Sequence, residues 1–228
     1  MLNDAELGAI AAAVKEAEVA TSGEIYCVVA PECSEYREVP LVWAAGAALL
    51  APVLLLMSGA TISVSDLTGA WTAAQAGATA QRAVQEALAG VLALQAALFV
   101  IVAILVSLPP VRRALTPAGL KRERVRSRAR EQFLAKNLHQ TRDRTGVLIF
   151  VSLGERMAEL IADEGIAAKV APDAWAPAMR VLTDGMKRGK PVDGFIGAIK
   201  LCAEILARFP ADSADNPNEL PDAVVVLD

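Results

Sequence analysis

Hydrophobic positions along this chain fall into three kinds of pattern, and each predicts a different element. The first kind is long and unbroken. From Val39 to Ser65 there are 27 consecutive residues without a charge, and from Ala87 to Val111 there are 25 more. Each exceeds the ~20 residues that a helix needs to cross a bilayer, so they predict two spans, at about 41–64 and 87–109, within a hairpin over 41–111. The first stretch begins well inside the chain, after a charged amphipathic segment, which reads as a retained span and not as a signal peptide. Pro52 inside one span and Gln95 inside the other read as a tolerated kink and a tolerated polar residue.

The second kind has helical spacing. Leu7, Ile10, Val14 and Ala17 predict a helix over 3–20 with Asn3 or Asp4 as its cap. Val125, Ala129, Phe133 and Leu134 predict another over 121–138, Trp175, Met179, Val181 and Leu182 a third over 174–188, and Phe195, Ile199, Cys202, Ile205 and Leu206 a fourth over 193–208, capped by Asp193. The third kind is short and apolar on both faces, as in strands covered by helices: EIYCVVA at 24–30 and GVLIFVS at 146–152. After the turn LGE, RMAELIA at 156–162 predicts a third strand, and the closing AVVVL an edge strand or an extended packed segment. A lone helix–strand pair cannot cover its own edges, so residues 1–40 need partners from beyond the hairpin. The order predicts one discontinuous α/β domain, 1–40 plus 120–228, with a right-handed parallel crossover from strand 24–30 to strand 146–152 through helix 121–138. The hairpin interrupts that crossover.

Composition agrees: 54% of residues are hydrophobic and 4% aromatic, yet 21% are charged, so the charges are excluded from particular stretches. Net charge is −4, which excludes a chain-wide basic field for nucleic acid. Arg82 is the only basic residue in the small-residue loop at 66–86, whereas Arg112, Arg113, Lys121, Arg122, Arg124, Arg126, Arg128 and Arg130 follow the second span. Positive residues near span ends stay in the cytoplasm, which places both termini and the α/β domain there, at the inner (cytoplasmic) membrane. The run KRERVRSRAR then reads as a flank drawn to anionic lipid at ~1 kcal/mol per residue. Cys27, Cys33 and Cys202 form no CxxC motif and read as reduced, intracellular thiols.

With those elements in place, TSGEIYCVVA, the sequence TRDRTGVLIFVSLGERMAELIADEGI and the last helix opening with PVDGF resemble the TPM domain family, in particular bacterial members in which two membrane spans interrupt the domain. The likeness covers residues 1–40 and about 120–208. It implies an α/β/α sandwich around a small mixed sheet. It also implies activities as different as weak acid phosphatase, divalent-ion binder, and assembly or repair factor for membrane complexes, so it fixes none of them.

The residues themselves offer no recognisable catalytic set. His139 is the only histidine, and there is no GxSxG, Walker or CX5R motif. Clustered carboxylates remain: Asp163 and Glu164 after a strand, Asp184 before a glycine, and Asp193 opening a helix. Asp163, Glu164 and Asp193 are the candidate ligands for Ca²⁺ or Mg²⁺, and a metal held there would serve a weak acid phosphatase. Their competing readings are structural: Asp163-Glu164-Gly165 and Asp184-Gly185 as turns, Asp193 as a helix cap. Topology offers a second place, the crevice beyond the carboxyl ends of the parallel strands, near Glu32, Ser34 and Ser152. The leading expectation is a non-catalytic interaction or quality-control factor for membrane proteins, with membrane lipid and an unidentified membrane protein as partners.

Overall fold

The computed structural model describes residues 2–19, 21–59, 73–141, 143–210 and 219–227, with no side-chain description for 73–80 and 83. Its elements are α1 (Asp4–Glu18), β1 (Glu24–Ala30), α2 (Glu38–Met57), α3 (Ala73–Ser107), α4 (Pro109–Leu115), α5 (Ala118–Ala135), β2 (Gly146–Ser152), β3 (Met157–Ala162), α6 (Glu164–Ala167), α7 (Ala176–Lys187), α8 (Pro191–Leu206) and β4 (Val225–Val226). Chain contacts divide them into two compact units, Met1–Glu35 with Pro117–Asp228, and Tyr36–Thr116.

The first unit is mixed α/β. Its four-stranded sheet has the order β3-β2-β1-β4, with β1 parallel to β2 from Glu24↔Gly146 to Ala30↔Ser152, β3 antiparallel to β2, and β4 parallel to β1 at Val28↔Val225 and Val29↔Val226. All seven residues of both β1 and β2 are buried, because helices cover both faces. Strand alternation sends Ile25, Cys27, Val29, Val147, Ile149 and Val151 into one core with α1, α7 and α8. The opposite parity, Tyr26, Val28, Ala30, Leu148 and Phe150, meets Val125, Ala129 and Phe133 of α5.

Local chemistry explains the boundaries. Asn3 caps α1 through a capping box, its Oδ1 accepting from Glu6 N–H at 2.9 Å while Glu6 Oε2 accepts from Asn3 N–H at 2.8 Å. α5 begins three residues earlier than its periodicity suggests, and Asn137 ends it with φ +55°, ahead of a single 3₁₀ turn at Leu138–Gln140. Leu134, expected in the core, is 60% exposed; one residue on from Phe133 it lies off the buried stripe. α8 starts at Pro191, which suits a first helical position, so Asp193 lies inside the first turn and Lys190 holds the cap. Gly185, expected in a turn with Asp184, lies within α7. A Cβ there would meet Gly194 Cα of α8 at 2.6 Å, so the pair of glycines sets how closely the two helices cross.

The second unit holds the apolar stretches as two helices long and apolar enough to cross a membrane. Glu38–Met57 has a mean hydropathy of 2.2 and Val84–Ser107 one of 2.7. The first begins before 41 and ends at Met57, where Ser58 and Gly59, the latter at φ +68°, close it; residues 60–64 of the expected span lie outside the described residues, as do 66–72 of the loop. Ala44 and Ala48 are buried on one side of α2, and Gln95 Nε2 of α3 donates to Ala48 O at 3.2 Å.

Candidate functional site

The three carboxylates expected to share a cation are engaged one by one. Asp163 is buried and caps α6, its Oδ1 accepting from Glu164 N–H at 2.7 Å; its Oδ2 is buried without a hydrogen-bond partner among the described residues. Glu164 points outward to Arg144, whose Nη1 donates to Oε2 at 2.6 Å across an exposed pair. Asp193 lies 4.0 Å from Lys190 Nζ, and Asp184 3.7 Å from Lys187 Nζ, both as exposed pairs one helical turn apart. Among the described residues no group of three or more His, Cys, Asp or Glu side chains is placed to hold a metal ion, and Asp163, Glu164 and Asp193 each engage different neighbours. The physical reason lies in the helix starts. Asp163 spends one oxygen on the cap of its own helix, Glu164 turns out to Arg144, and Asp193 pairs with Lys190 one turn before it.

The crevice beyond β1 and β2 is built differently. β1 runs out into Pro31–Glu35, and β2 into a turn over Leu153–Arg156 that Arg156 closes with φ +53°. Leu153 N–H donates to Ala30 O at 2.9 Å and Gly154 N–H to Pro31 O at 2.7 Å, stitching the two strand ends together. Glycine is required at 154, since a Cβ would approach Pro31 O to 2.7 Å. The turn carries Glu155 back over the strand ends. There its carboxylate accepts from Cys33 N–H at 3.1 and 3.3 Å and from the hydroxyl of Ser152, which is fully buried.

The expected crevice therefore holds Ser152, and Glu32 lines it where a Gly154 Cβ would come within 3.4 Å of Glu32 Cβ. Its organising residue, Glu155, was missed. The available signal was the spacing Ser152-x-x-Glu155 across a tight turn, which puts a carboxylate within reach of a strand-end hydroxyl. Chemically the arrangement holds a loop in place. Glu155 thereby occupies the crevice beyond the carboxyl ends of the parallel strands, where open α/β sheets bind their ligands. The Cys33 thiol beside it is pushed up to about 11, mainly by burial, with the Ser152 hydrogen bond working the other way, so it stays protonated near neutral pH. Burial also raises Cys27, and lifts Cys202 to about 12. His139 sits on the 3₁₀ turn after α5, its Nε2 3.5 Å from Gln140 Nε2.

No family model matches the chain, and no curated protein matches it. Among solved structures it is similar to the NMR structure of the BA42 protein from the psychrophilic bacterium Bizionia argentinensis, with 18% identity over 100% of this chain and 96% of that one, at a TM-score of 0.55. The two share a fold.

Proposed function

We propose that the chain is a membrane-anchored, TPM-like α/β/α sandwich, interrupted by a two-helix transmembrane hairpin, that acts as a non-catalytic interaction or quality-control factor for membrane proteins. Both termini and the α/β unit lie in the cytoplasm, at the inner membrane. The observation that carries the reading is the exposure of the apolar helices: only 22% of the apolar window of Glu38–Met57 and 6% of that of Val84–Ser107 is buried. Leu49, Leu50, Leu54, Leu56, Leu92 and Ile104 are each more than half exposed, an apolar surface that water does not tolerate over two adjoining helices and that lipid covers at no cost.

Other features support the reading. Trp43, near the start of α2, donates its indole N–H to Leu115 O at 3.3 Å, the amphipathic placement favoured at a membrane interface, and Arg112 and Arg113 lie in the same short helix as Leu115. The non-catalytic half of the proposal rests on how the reactive groups are used: Ser152 and Glu155 bind their own loop, the three thiols are held protonated, and the helix-start carboxylates are spent on caps and surface pairs. Reporter fusions at each terminus and within 66–86 test the orientation. Cytoplasmic signal from both ends and periplasmic signal from the loop are expected; recovery of the loop in the cytoplasm removes the membrane reading.

A further inference from the structure

β3 is an edge strand, paired on one side with β2 and with no strand on its other side among the described residues. Asp163 N–H donates to Gly146 O at 2.9 Å, and bonding alternates along an antiparallel ladder. In the register Val147↔Ala162 to Ser152↔Met157, residues 157, 159 and 161 therefore bond to β2, while Ala158, Leu160 and Ala162 direct their backbone N–H and C=O groups outward. No described residue bonds to those outward groups.

This open edge forms the floor of a cleft of about 410 Å³. One wall is α5, which contributes Arg126 and Arg130; the other is apolar, from Trp175 and Met179. Glu159 is half-buried on the α5 side, where Arg126, Arg122 and Arg130 all act on it and oppose the rise that burial imposes on its carboxyl. Among the described residues these three guanidiniums, one helical turn apart in succession, act on one carboxylate, which leaves positive charge over on that wall. The two walls thus differ in what they attract.

We propose that the β3 edge takes up an extended segment of a partner protein as a fifth strand, with carboxylates at alternate positions facing α5 and apolar side chains facing Trp175 and Met179. Backbone hydrogen bonds to Ala158, Leu160 and Ala162 supply the attachment, and the unlike walls select an alternating acidic–apolar sequence. This rests on the interaction-factor reading and names what the α/β unit holds. The orientation measured by the reporter fusions stands or falls separately.

The test uses the full chain in detergent micelles and fluorescence anisotropy of labelled peptides long enough to run the six residues of β3. An alternating Glu/Val peptide should bind about tenfold or more tightly than its Lys/Val counterpart. The paired change Arg126→Glu and Arg130→Glu should reverse that order. The same Glu/Val peptide with every amide N-methylated should lose binding. Ala158→Pro, which removes an outward N–H and leaves the bonds to β2 in place, should weaken it by a similar factor. Should that variant fail to fold, the N-methylated peptide still decides. Equal binding of the Glu and Lys peptides, binding by neither, or undiminished binding of the N-methylated peptide overturns the proposal, the last by showing attraction of an anion to the surface without strand addition.

Discussion

Glu18 ends α1 against the sheet, where its Oε1 accepts from Ile25 N–H at 2.6 Å. Its carboxyl is pushed from an ordinary 4.5 up to about 8, first by burial and then by the neighbouring charges of Glu24 and Asp222, with a hydrogen bond to Asp222 acting in the same direction. At neutral pH the group is therefore protonated and donates to Asp222. A carboxyl raised in the folded state holds its proton longer there than in the unfolded chain. Its stabilisation is complete below about 4.5 and is lost as pH rises through about 8. Glu18→Gln keeps both roles, since its amide oxygen accepts from Ile25 and its NH₂ donates to Asp222, and it carries no proton to lose. That variant should be more stable than the parent at pH 9, by roughly 1–3 kcal/mol once the partial solvent exposure of the site is allowed for, and should melt close to the parent at pH 5. Thermal melts at the two pH values check this; an equal difference at both would mean that the carboxyl does not titrate as described.

At the scale of elements, the close crossing of α7 and α8 shows where the sequence was readable and where it was not. Helical periodicity found the apolar faces of both helices, because burial of one stripe is written in the 3.6-residue repeat. It did not find the reason for Gly185. Glycine marks both a turn and a close approach of two backbones, and only the partner Gly194, nine positions away, tells them apart. The same limit hid the chemistry. The strands, their parallel pairing and the crevice beyond them follow from local apolar runs and from topology, whereas the part Glu155 plays depends on a turn that Arg156 closes in a left-handed conformation which β-propensity does not encode. Asp163, Glu164 and Asp193 looked alike in sequence because helix-start carboxylates and cation ligands use the same residue type. At the α7–α8 crossing, Gly185→Ala would push a methyl against Gly194 Cα and Lys190 O, at 2.6 and 2.9 Å. Both obstacles are backbone, so relief requires the helices to part. The change should cost about 1–3 kcal/mol despite the better helix propensity of alanine, whereas Gly8→Ala on α1, with open space around it, should be neutral or stabilising. Urea denaturation of the two variants makes the comparison.

At the scale of the whole molecule, the α/β unit is assembled from chain on both sides of the apolar helices, and β1 is the element that makes this matter. Both of its edges are used, by β2 along all seven residues and by β4 at Val28 and Val29, and Leu227 N–H donates to Val29 O at 2.8 Å. Remove residues 1–35 and β2 loses its parallel partner, β4 loses the strand it pairs with, and α8 loses the face that α1 covers with Ile10 and Val14. Unpaired buried backbone and exposed apolar side chains are both costly enough that the remainder should not hold its fold. The segment 117–228 alone should therefore show no cooperative melt and should bind a hydrophobic dye. Joining 1–35 to 117–228 through a flexible glycine–serine linker should restore a cooperative transition, because closing a loop of tens of residues costs only slightly more as it lengthens and the paired strands more than offset it. Circular dichroism melts of the two proteins, recorded without detergent, separate the outcomes. A cooperative transition of equal midpoint in 117–228 alone would show that β1 is dispensable and that the two chain segments fold independently.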